Sequence, residues 1–227
     1  ISKFNKPLIK WSGRKYRLLE SILRNIPEKE KGTYLEPFLG SASVYINVEN
    51  FNRYIINDNL KELMITYKII RNNSIDTLYK KLNNLEKGYN QKKSIQERGV
   101  YFYKKRDRFN RLINLSKLNE NQKFELASLF LFLNQTCFNG VYRKNSSGNF
   151  NVPHGRRASN NQKIKLPQKN ELMSFSKLLK RAVLKNTDYK KILTLANKGD
   201  FVYLDPPYVK TVNYYGVEKF DNEESQD

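Results

Sequence analysis

The chain has 227 residues, enough for one good core and a second small lobe. It carries 42 Lys and Arg against 22 Asp and Glu, and the net charge of +20 favours a polyanion such as nucleic acid as partner. The alternative is that the whole source proteome is rich in Lys and Asn, so that the excess charge lies on solvated surfaces and indicates no partner. One Cys and one His exclude an internal disulfide and a zinc site, and every apolar run is too short to cross a bilayer. We therefore expect a cytoplasmic protein with neither a metal nor a membrane as partner.

Short strands alternate with helices along the chain. Residues 33–38 and 53–57 are apolar runs that end in polar turns, and residues 182–185 and 201–204 repeat this pattern late in the sequence. Helices are predicted over 15–26 and 60–71, from about Asp188, and after the turn Gly40-Ser41-Ala42-Ser43. The alternation predicts an α/β fold built on a doubly wound parallel sheet.

Residues 74–136 are helical in period over 75–85, 100–113 and 124–133. Residues 138–162 are rich in Asn, Ser, Gly, Arg and Lys and show no period. We interpret residues 74–170 as a helical insertion that carries a long exposed basic loop over 138–162. Residues 1–73 and 171–227 would form the α/β core.

The run FVYLDPPY, residues 201–208, ends a buried strand on an acid, two prolines and a tyrosine. Pro206 and Pro207 fix φ and remove two backbone donors, so Asp205 is held on a stiff turn at the rim of the sheet. Such a position suits chemistry. The alternative is a proline-rich turn in which Asp205 is an ordinary loop acid.

The run YLEPFLGSAS, residues 34–43, places a glycine-bearing turn after the first strand, where backbone amides can approach a nucleotide-like ligand. Asp58 follows the second strand about 20 residues on, where an acid reaches ribose hydroxyls. The alternatives are a plain strand-to-helix turn and, for Asp58, a helix N-cap. Trp11 and Lys15 flank a turn in KWSGRKY, and a hydrophobic staple with a solvated lysine would also explain them.

Aromatic and basic residues interleave in the predicted loop, which favours nucleic-acid binding, because Arg can read guanine, Lys and Arg hold phosphates, and an aromatic ring can wedge into a base stack. The alternative is a floppy basic loop in which His154 is only a surface histidine. The residues concerned are Phe138, Tyr142, Arg143, Lys144, Arg156 and Arg157.

Taken together, these motifs resemble the Dam-type (alpha class, D12) DNA adenine N6-methyltransferases over essentially the whole chain. The resemblance rests on five segments in this order: PLIKWSGRK, YLEPFLGSAS, IIND, FNGVYR…GNFNVPHGR and GDFVYLDPPY. It implies a Rossmann-like methyltransferase core, S-adenosylmethionine as methyl donor, and adenine in double-stranded DNA, within GATC, as acceptor. It also implies further strands and helices of the catalytic core beyond residue 227.

The resemblance implies a donor pocket and a catalytic turn. Asp58 would hold the ribose of the donor, and Asp188 with Tyr189 would contact its adenine. The Asp205 carboxylate and the Pro206 carbonyl would accept the N6 hydrogens of a flipped adenine, and no metal is required because the sulfonium methyl is already electrophilic. Pro207 would keep the two acceptors fixed, and Tyr208 would stack on the base. The other implied contacts to the donor are Trp11, Lys15, Glu36, Pro37, Phe38, Gly40 and Asp205.

The resemblance implies that residues 74–170 form a target-recognition domain, and within its loop it implies a set of DNA contacts. Arg143 matches the arginine that reads a guanine, Phe138 the aromatic that inserts into the duplex, and Arg156 a phosphate contact. The other members are Asn139, Val141 and Pro153 at base-reading positions and, by its charge, Lys144 on a phosphate.

Two residues depart from the family pattern. Ala42 stands where the cofactor turn commonly has a second glycine, and we expect its methyl group to be tolerated with a weaker donor affinity. Arg14 stands at another usual glycine, where it either strains the backbone or adds a phosphate contact. Two other functions stay open: a non-catalytic DNA-binding relative, and an RNA or protein N-methyltransferase, against which the loop motif argues.

Overall fold

The computed structural model describes residues 4–13, 15, 18–27, 32–72, 75–155 and 163–207. Four parallel strands form one sheet in the order β3-β2-β1-β4. They are β1 (Thr33–Glu36), β2 (Arg53–Asn57), β3 (Ala182–Lys185) and β4 (Phe201–Val202). The predicted α/β fold with a parallel, Rossmann-like sheet is confirmed.

The two inner strands, β1 and β2, are almost continuously buried, which is typical of a parallel sheet that is covered on both faces. Three successive residues of β1 and four of β2 are buried, whereas β3 alternates buried with exposed residues. β4 is two residues shorter than predicted, although the Tyr203 N–H still donates to the Leu35 carbonyl at 2.9 Å. The hydrogen bond keeps the chain beside β1 as it leaves the sheet toward Asp205.

Helices cover the sheet and extend away from it. Within the described ranges they are α1 (Leu19–Arg24), α2 (Lys61–Arg71), α3 (Ile75–Asn90), α4 (Ile95–Ile113), α5 (Glu120–Thr136), α6 (Lys169–Lys180) and α7 (Tyr189–Leu193). α5 lies at the centre of the helical layer, because all of its residues from 126 to 134 are buried and it contacts α2, α3 and α4. Asn119 begins it with a capping box to Gln122, which is why the helix starts before the predicted 124–133.

One predicted feature of the core is wrong, and one helix was not predicted. The helix expected after Gly40 is a single 3-10 turn, Tyr45–Asn47, followed by extended backbone at Val48. Helix α6 was not predicted, because its buried stripe is short and interrupted by a serine: Leu172, Phe175, Ser176 and Leu179.

The expected exposed loop is also wrong for its described part. Residues 137–155 form a compact hairpin, with antiparallel bridges between Cys137 and His154 and between Lys144 and Phe150. Tyr142, expected on an exposed loop, is buried and stacks on Phe150. The sequence of this segment shows no apolar periodicity, because the hairpin is held in place by a few aromatic side chains and by hydrogen bonds from α4.

One continuous hydrophobic cluster joins the sheet to α3, α4, α5 and the hairpin. The division into a core and an insertion at residues 74–170 therefore stays a prediction. No helix within the described ranges is long and apolar enough to cross a lipid bilayer.

Candidate active site

Three acidic residues meet at the carboxyl edge of the sheet. Glu36 ends β1, Asp58 follows β2, and Asp205 follows β4. β1 lies between β2 and β4, so the chain leaves neighbouring strands in opposite directions, which is where parallel α/β sheets open a crevice for ligands. The structure thus brings together three of the predicted site residues that are far apart in sequence.

Glu36 is fully buried under this edge. The Tyr34 hydroxyl donates to Glu36 Oε2 at 2.6 Å. Burial raises the pKa of Glu36 to about 8, the hydrogen bond from Tyr34 opposes that rise, and the negative charges of Asp205 and Asp58 add to it. Near neutral pH the carboxyl group is therefore mostly protonated, and a cation placed beside it would favour the carboxylate.

Asp58 binds the turn that follows β1. Its Oδ2 accepts from the Gly40 N–H and its Oδ1 from the Leu60 N–H, both at 2.9 Å. Burial raises the pKa of Asp58 to about 6 against these two hydrogen bonds. Asp58 is not the N-cap of α2, because Leu60 holds that position. A carboxylate has about four acceptor sites, so both oxygens can still accept from ribose hydroxyls.

The backbone at Gly40 lies in very close contact with the indole of Trp11. Its φ is +49°, and a Cβ there would lie 2.7 Å from Trp11 Nε1. The Tyr67 hydroxyl donates to the Gly40 carbonyl at 2.7 Å and fixes the peptide from below. Trp11 also stacks on Tyr142 at 6.4 Å between ring centroids, so the indole lies between the turn and the hairpin.

Asn57 ties two loops of the site together, a role that the sequence analysis did not assign. Its buried side chain donates to the carbonyls of Pro37 and Thr187 at 3.0 Å and accepts from the Thr187 N–H at 3.0 Å. These bonds hold the loop after β3 against the turn after β1. The signal was present in IIND, where a buried amide ends a strand and needs partners.

The predicted adenine-binding pair lies beside the same turn. Asp188 caps α7 by accepting from the Lys190 N–H at 2.8 Å. The ring of Tyr189 packs against Phe38 with 5.0 Å between centroids. An acid and two rings thus stand next to each other at the ends of β1 and β3.

Asp205 forms an ion pair with Lys15, whose Nζ lies 2.9 Å from Asp205 Oδ1. The lysine side chain is only 17% exposed, which argues against the solvated lysine of the alternative interpretation. Pro206 is exposed and Pro207 is half-buried. Tyr208 and Arg14 lie outside the described residues.

The hairpin carries those predicted DNA contacts that lie within the described residues, and their exposure differs. Phe138 is 47% exposed, and Asn139 next to it has φ of +54°, a conformation that asparagine tolerates. Arg143 Nε donates to Asn151 Oδ1 at 2.9 Å, which orients the guanidinium. The remaining positions are exposed Pro153, half-buried Val141, and Arg156, which lies outside the described residues.

Lys144 is not a solvated cation. Its Nζ lies 2.5 Å from Glu62 Oε1, and Glu62, in the first turn of α2, is buried. The same carboxylate accepts from the Tyr142 hydroxyl. His154 is half-buried rather than on the surface, and its Nε2 lies 2.7 Å from the Tyr89 hydroxyl. The phosphate contact predicted for Lys144 stays a prediction.

These residues fit an adenosyl sulfonium ligand. The missing side chain of Gly40 lets Trp11 lie against the turn, while Asp58, Glu36 and Asp205 suit hydroxyl and cationic groups. The Phe38 and Tyr189 rings suit a purine face. Among the residues that the structure describes, no group of three or more His, Cys, Asp and Glu has the arrangement of a metal site.

Comparison with known proteins agrees with this geometry. The D12 class N6 adenine-specific DNA methyltransferase family matches residues 11–227. The chain belongs to this family. Membership indicates an adenine-specific DNA methyltransferase, and a methyltransferase requires a methyl donor and, here, DNA as substrate.

Individual relatives of the D12 class are similar over most of the chain. The type II methyltransferase M.MjaIII of Methanocaldococcus jannaschii is 34% identical, over 97% of this chain and 76% of that protein. The DNA adenine methylases of Haemophilus influenzae and Escherichia coli (strain K12) are each 32% identical, over 90% and 91% of this chain. The alignments cover 64% and 66% of those two methylases, so the chain spans about two thirds of their length.

The structure explains one departure from the D12 pattern. Ala42 has φ of +62° and is fully buried. This left-handed conformation costs an L-residue roughly 1–2 kcal/mol, a cost that glycine would not incur. The turn keeps its form because the Ala42 N–H donates to the Leu39 carbonyl at 2.8 Å.

Proposed function

We propose that this chain transfers a methyl group from S-adenosylmethionine to N6 of adenine within GATC in duplex DNA, with the target base flipped out of the helix. The observation that carries the proposal is the Lys15–Asp205 ion pair at the edge of the sheet that also holds Glu36 and Asp58. Such a reaction would take place in the cytoplasm, where the DNA is.

The catalytic requirement is a pair of fixed hydrogen-bond acceptors. Adenine N6 is a poor nucleophile because its lone pair is delocalised into the ring. The Asp205 carboxylate and the Pro206 carbonyl would each accept a hydrogen bond from one N6–H, which draws the nitrogen toward tetrahedral geometry and localises its lone pair. N6 would then attack the methyl carbon as the bond from that carbon to sulfur breaks and a neutral thioether leaves, and the methylated nitrogen would lose one proton to solvent. Pro206 and Pro207 hold both acceptors on a stiff turn, so little reorganisation is needed as positive charge develops on nitrogen. Tyr208 would stack on the base.

The donor half of the reaction uses the turn after β1. When bound, S-adenosylmethionine supplies an electrophilic methyl group on a sulfonium. Asp58 would accept from its ribose hydroxyls, and Asp188 with Tyr189 and Phe38 would hold its adenine. Trp11, which lies against Gly40, would cover the donor turn, and Glu36 and Pro37 would line it.

Sequence recognition is assigned to the hairpin. Arg143, oriented by Asn151, would read a guanine, because a guanidinium matches guanine O6 and N7 in a bidentate manner. Exposed Phe138 would enter the base stack, and Asn139, Val141 and Pro153 would contact neighbouring bases. Lys144 and Arg156 would lie along the phosphates.

The test is transfer of labelled methyl groups from S-adenosylmethionine to a duplex with one GATC. Chromatography of the digested nucleosides should show the label in N6-methyldeoxyadenosine, and a duplex whose two target adenines are already N6-methylated should accept none. Arg143→Ala should lose about 1–3 kcal/mol of discrimination at one guanine, seen as a smaller rate difference between GATC and singly substituted sites.

The same assay decides between the proposal and its alternatives. Duplex binding without transfer by a chain that still folds would support the non-catalytic relative. Preference for RNA in competition would support an RNA methyltransferase. Label found on a cytosine would contradict adenine as the acceptor. Equal transfer to GATC and to all singly substituted sites would contradict GATC recognition.

A further inference from the structure

Asn134 is a buried amide in the last turn of α5. It is 4% exposed and follows a run of apolar residues, 129–133. A buried side-chain amide is costly unless its donors and acceptor find partners, so its hydrogen bonds show what it holds.

The partners of Asn134 come from two segments, one 124 residues away at Lys10 and one 6 residues away at Gly140. Its Oδ1 accepts from the Lys10 N–H and its Nδ2 donates to the Lys10 carbonyl, both at 2.8 Å. The same Nδ2 donates to the Gly140 carbonyl at 3.2 Å. One amide therefore fixes the Lys10 peptide on both sides and the end of the turn at Gly140.

Both segments lead directly to proposed ligand contacts. Lys10 precedes Trp11, whose indole lies against Gly40 of the donor turn. Gly140 directly follows Phe138 and Asn139, two of the proposed DNA contacts, in the same turn. The segments touch: Gly140 has φ of +64°, and a Cβ there would lie 2.6 Å from Lys10 Cβ. Neither segment can shift without displacing the other or breaking the hydrogen bonds of the Asn134 side chain.

We propose that Asn134 is a positioning residue that couples donor binding to DNA binding. Resting on the proposed function, the inference adds that a donor which fixes Trp11 also fixes the 138–140 turn through Lys10 and Asn134. Thermodynamic reciprocity then requires that the duplex raise donor affinity by the same factor. The Trp11–Tyr142 stack alone would not do this, because a ring stack is less directional than three hydrogen bonds.

The experiment is a four-way binding cycle. S-adenosylhomocysteine serves as an unreactive donor analogue, and its affinity is measured with and without saturating GATC duplex. The chain has one tryptophan, Trp11, so intrinsic fluorescence follows occupancy of the donor turn. We expect a coupling factor of about fivefold or more in the wild type and below about twofold in Asn134→Ala.

Asn90→Ala is the matched control, because Asn90 makes the same reciprocal pair with a backbone, at Ile164, at 3.0 and 2.9 Å. It should lose similar stability and keep the coupling factor. If Asn134→Ala does not fold, Asn134→Leu, which keeps the side-chain volume, takes its place. A factor near one in the wild type, or an unchanged factor in a folded Asn134 variant, would overturn the inference alone. Failure of the wild type to bind analogue or duplex would instead overturn the proposed function.

Discussion

Lys15 Nζ lies 2.9 Å from Asp205 Oδ1, so the turn before α1 orients the acid after β4. Lys15→Met should leave Asp205 free to rotate and slow methyl transfer on the order of 10- to 100-fold, because small misplacements of a catalytic group cost that much. The measurement is the single-turnover rate at saturating donor and duplex. Lys169→Met is the control, since it breaks a 2.6 Å ion pair with Asp76 on the surface. Equal rates for the two variants would remove Lys15 from the mechanism.

Glu36 should release a proton when the donor binds. Its pKa is raised to about 8, so near pH 7 the free carboxyl is mostly protonated, and a sulfonium nearby would lower that pKa. Release should be largest near neutral pH and vanish above about pH 9, where Glu36 is already ionised. Calorimetry in two buffers with different ionisation enthalpies counts the protons. Glu36→Gln should remove most of the release; heats that do not depend on the buffer in the wild type would contradict this.

Gly40 and Gly148 separate backbone strain from steric conflict. Both have positive φ, +49° and +75°, but a Cβ at Gly40 would meet Trp11 whereas at Gly148 nothing lies within 4 Å. Each change to Ala should cost about 1–2 kcal/mol of unfolding free energy for its conformation. Gly40→Ala should in addition displace Trp11 and weaken donor binding at least tenfold. Urea unfolding and donor titration measure the two effects, and equal donor affinity in both variants would count against the site.

The Lys144–Glu62 pair should matter for stability as well as for DNA. Lys144→Met leaves the buried Glu62 carboxylate without its cation and should destabilise the fold by about 3 kcal/mol. Adding Glu62→Leu should recover part of that loss, because the unpaired charge is then gone although the buried Tyr142 hydroxyl loses its acceptor. A double-mutant cycle by urea unfolding gives the coupling energy. Additive effects would mean that the pair does not hold the hairpin.

The sheet was predictable because each strand combines a short apolar run with a polar exit, as in Tyr34–Leu35 before Glu36 and Ile55–Ile56 before Asn57. Parallel pairing brings the exits of neighbouring strands to one edge, and the resemblance had assigned Glu36, Asp58 and Asp205, which follow three of these strands, to the donor pocket. Motifs found the site because its chemistry needs fixed residue types at strand ends.

What the sequence did not reveal are the partners. The pairing of Lys144 with Glu62 joins residues 82 positions apart, and nothing local in either segment indicates the other. Asn134 reads as one more polar residue near a helix end until its contacts with Lys10 are seen. The compact hairpin was missed because it folds against α4, where Asn110 bonds both polar groups of the Phe150 backbone. Such tertiary contacts override local polarity.

The most direct test of the central claim is the single-turnover rate of Asp205→Ala on a GATC duplex, with donor and duplex affinities measured alongside. The proposed role predicts a loss of about 100-fold or more in rate, because a fixed acceptor for the developing charge is removed, while both affinities change less than the rate. Transfer by Asp205→Ala within about twofold of wild type would contradict it.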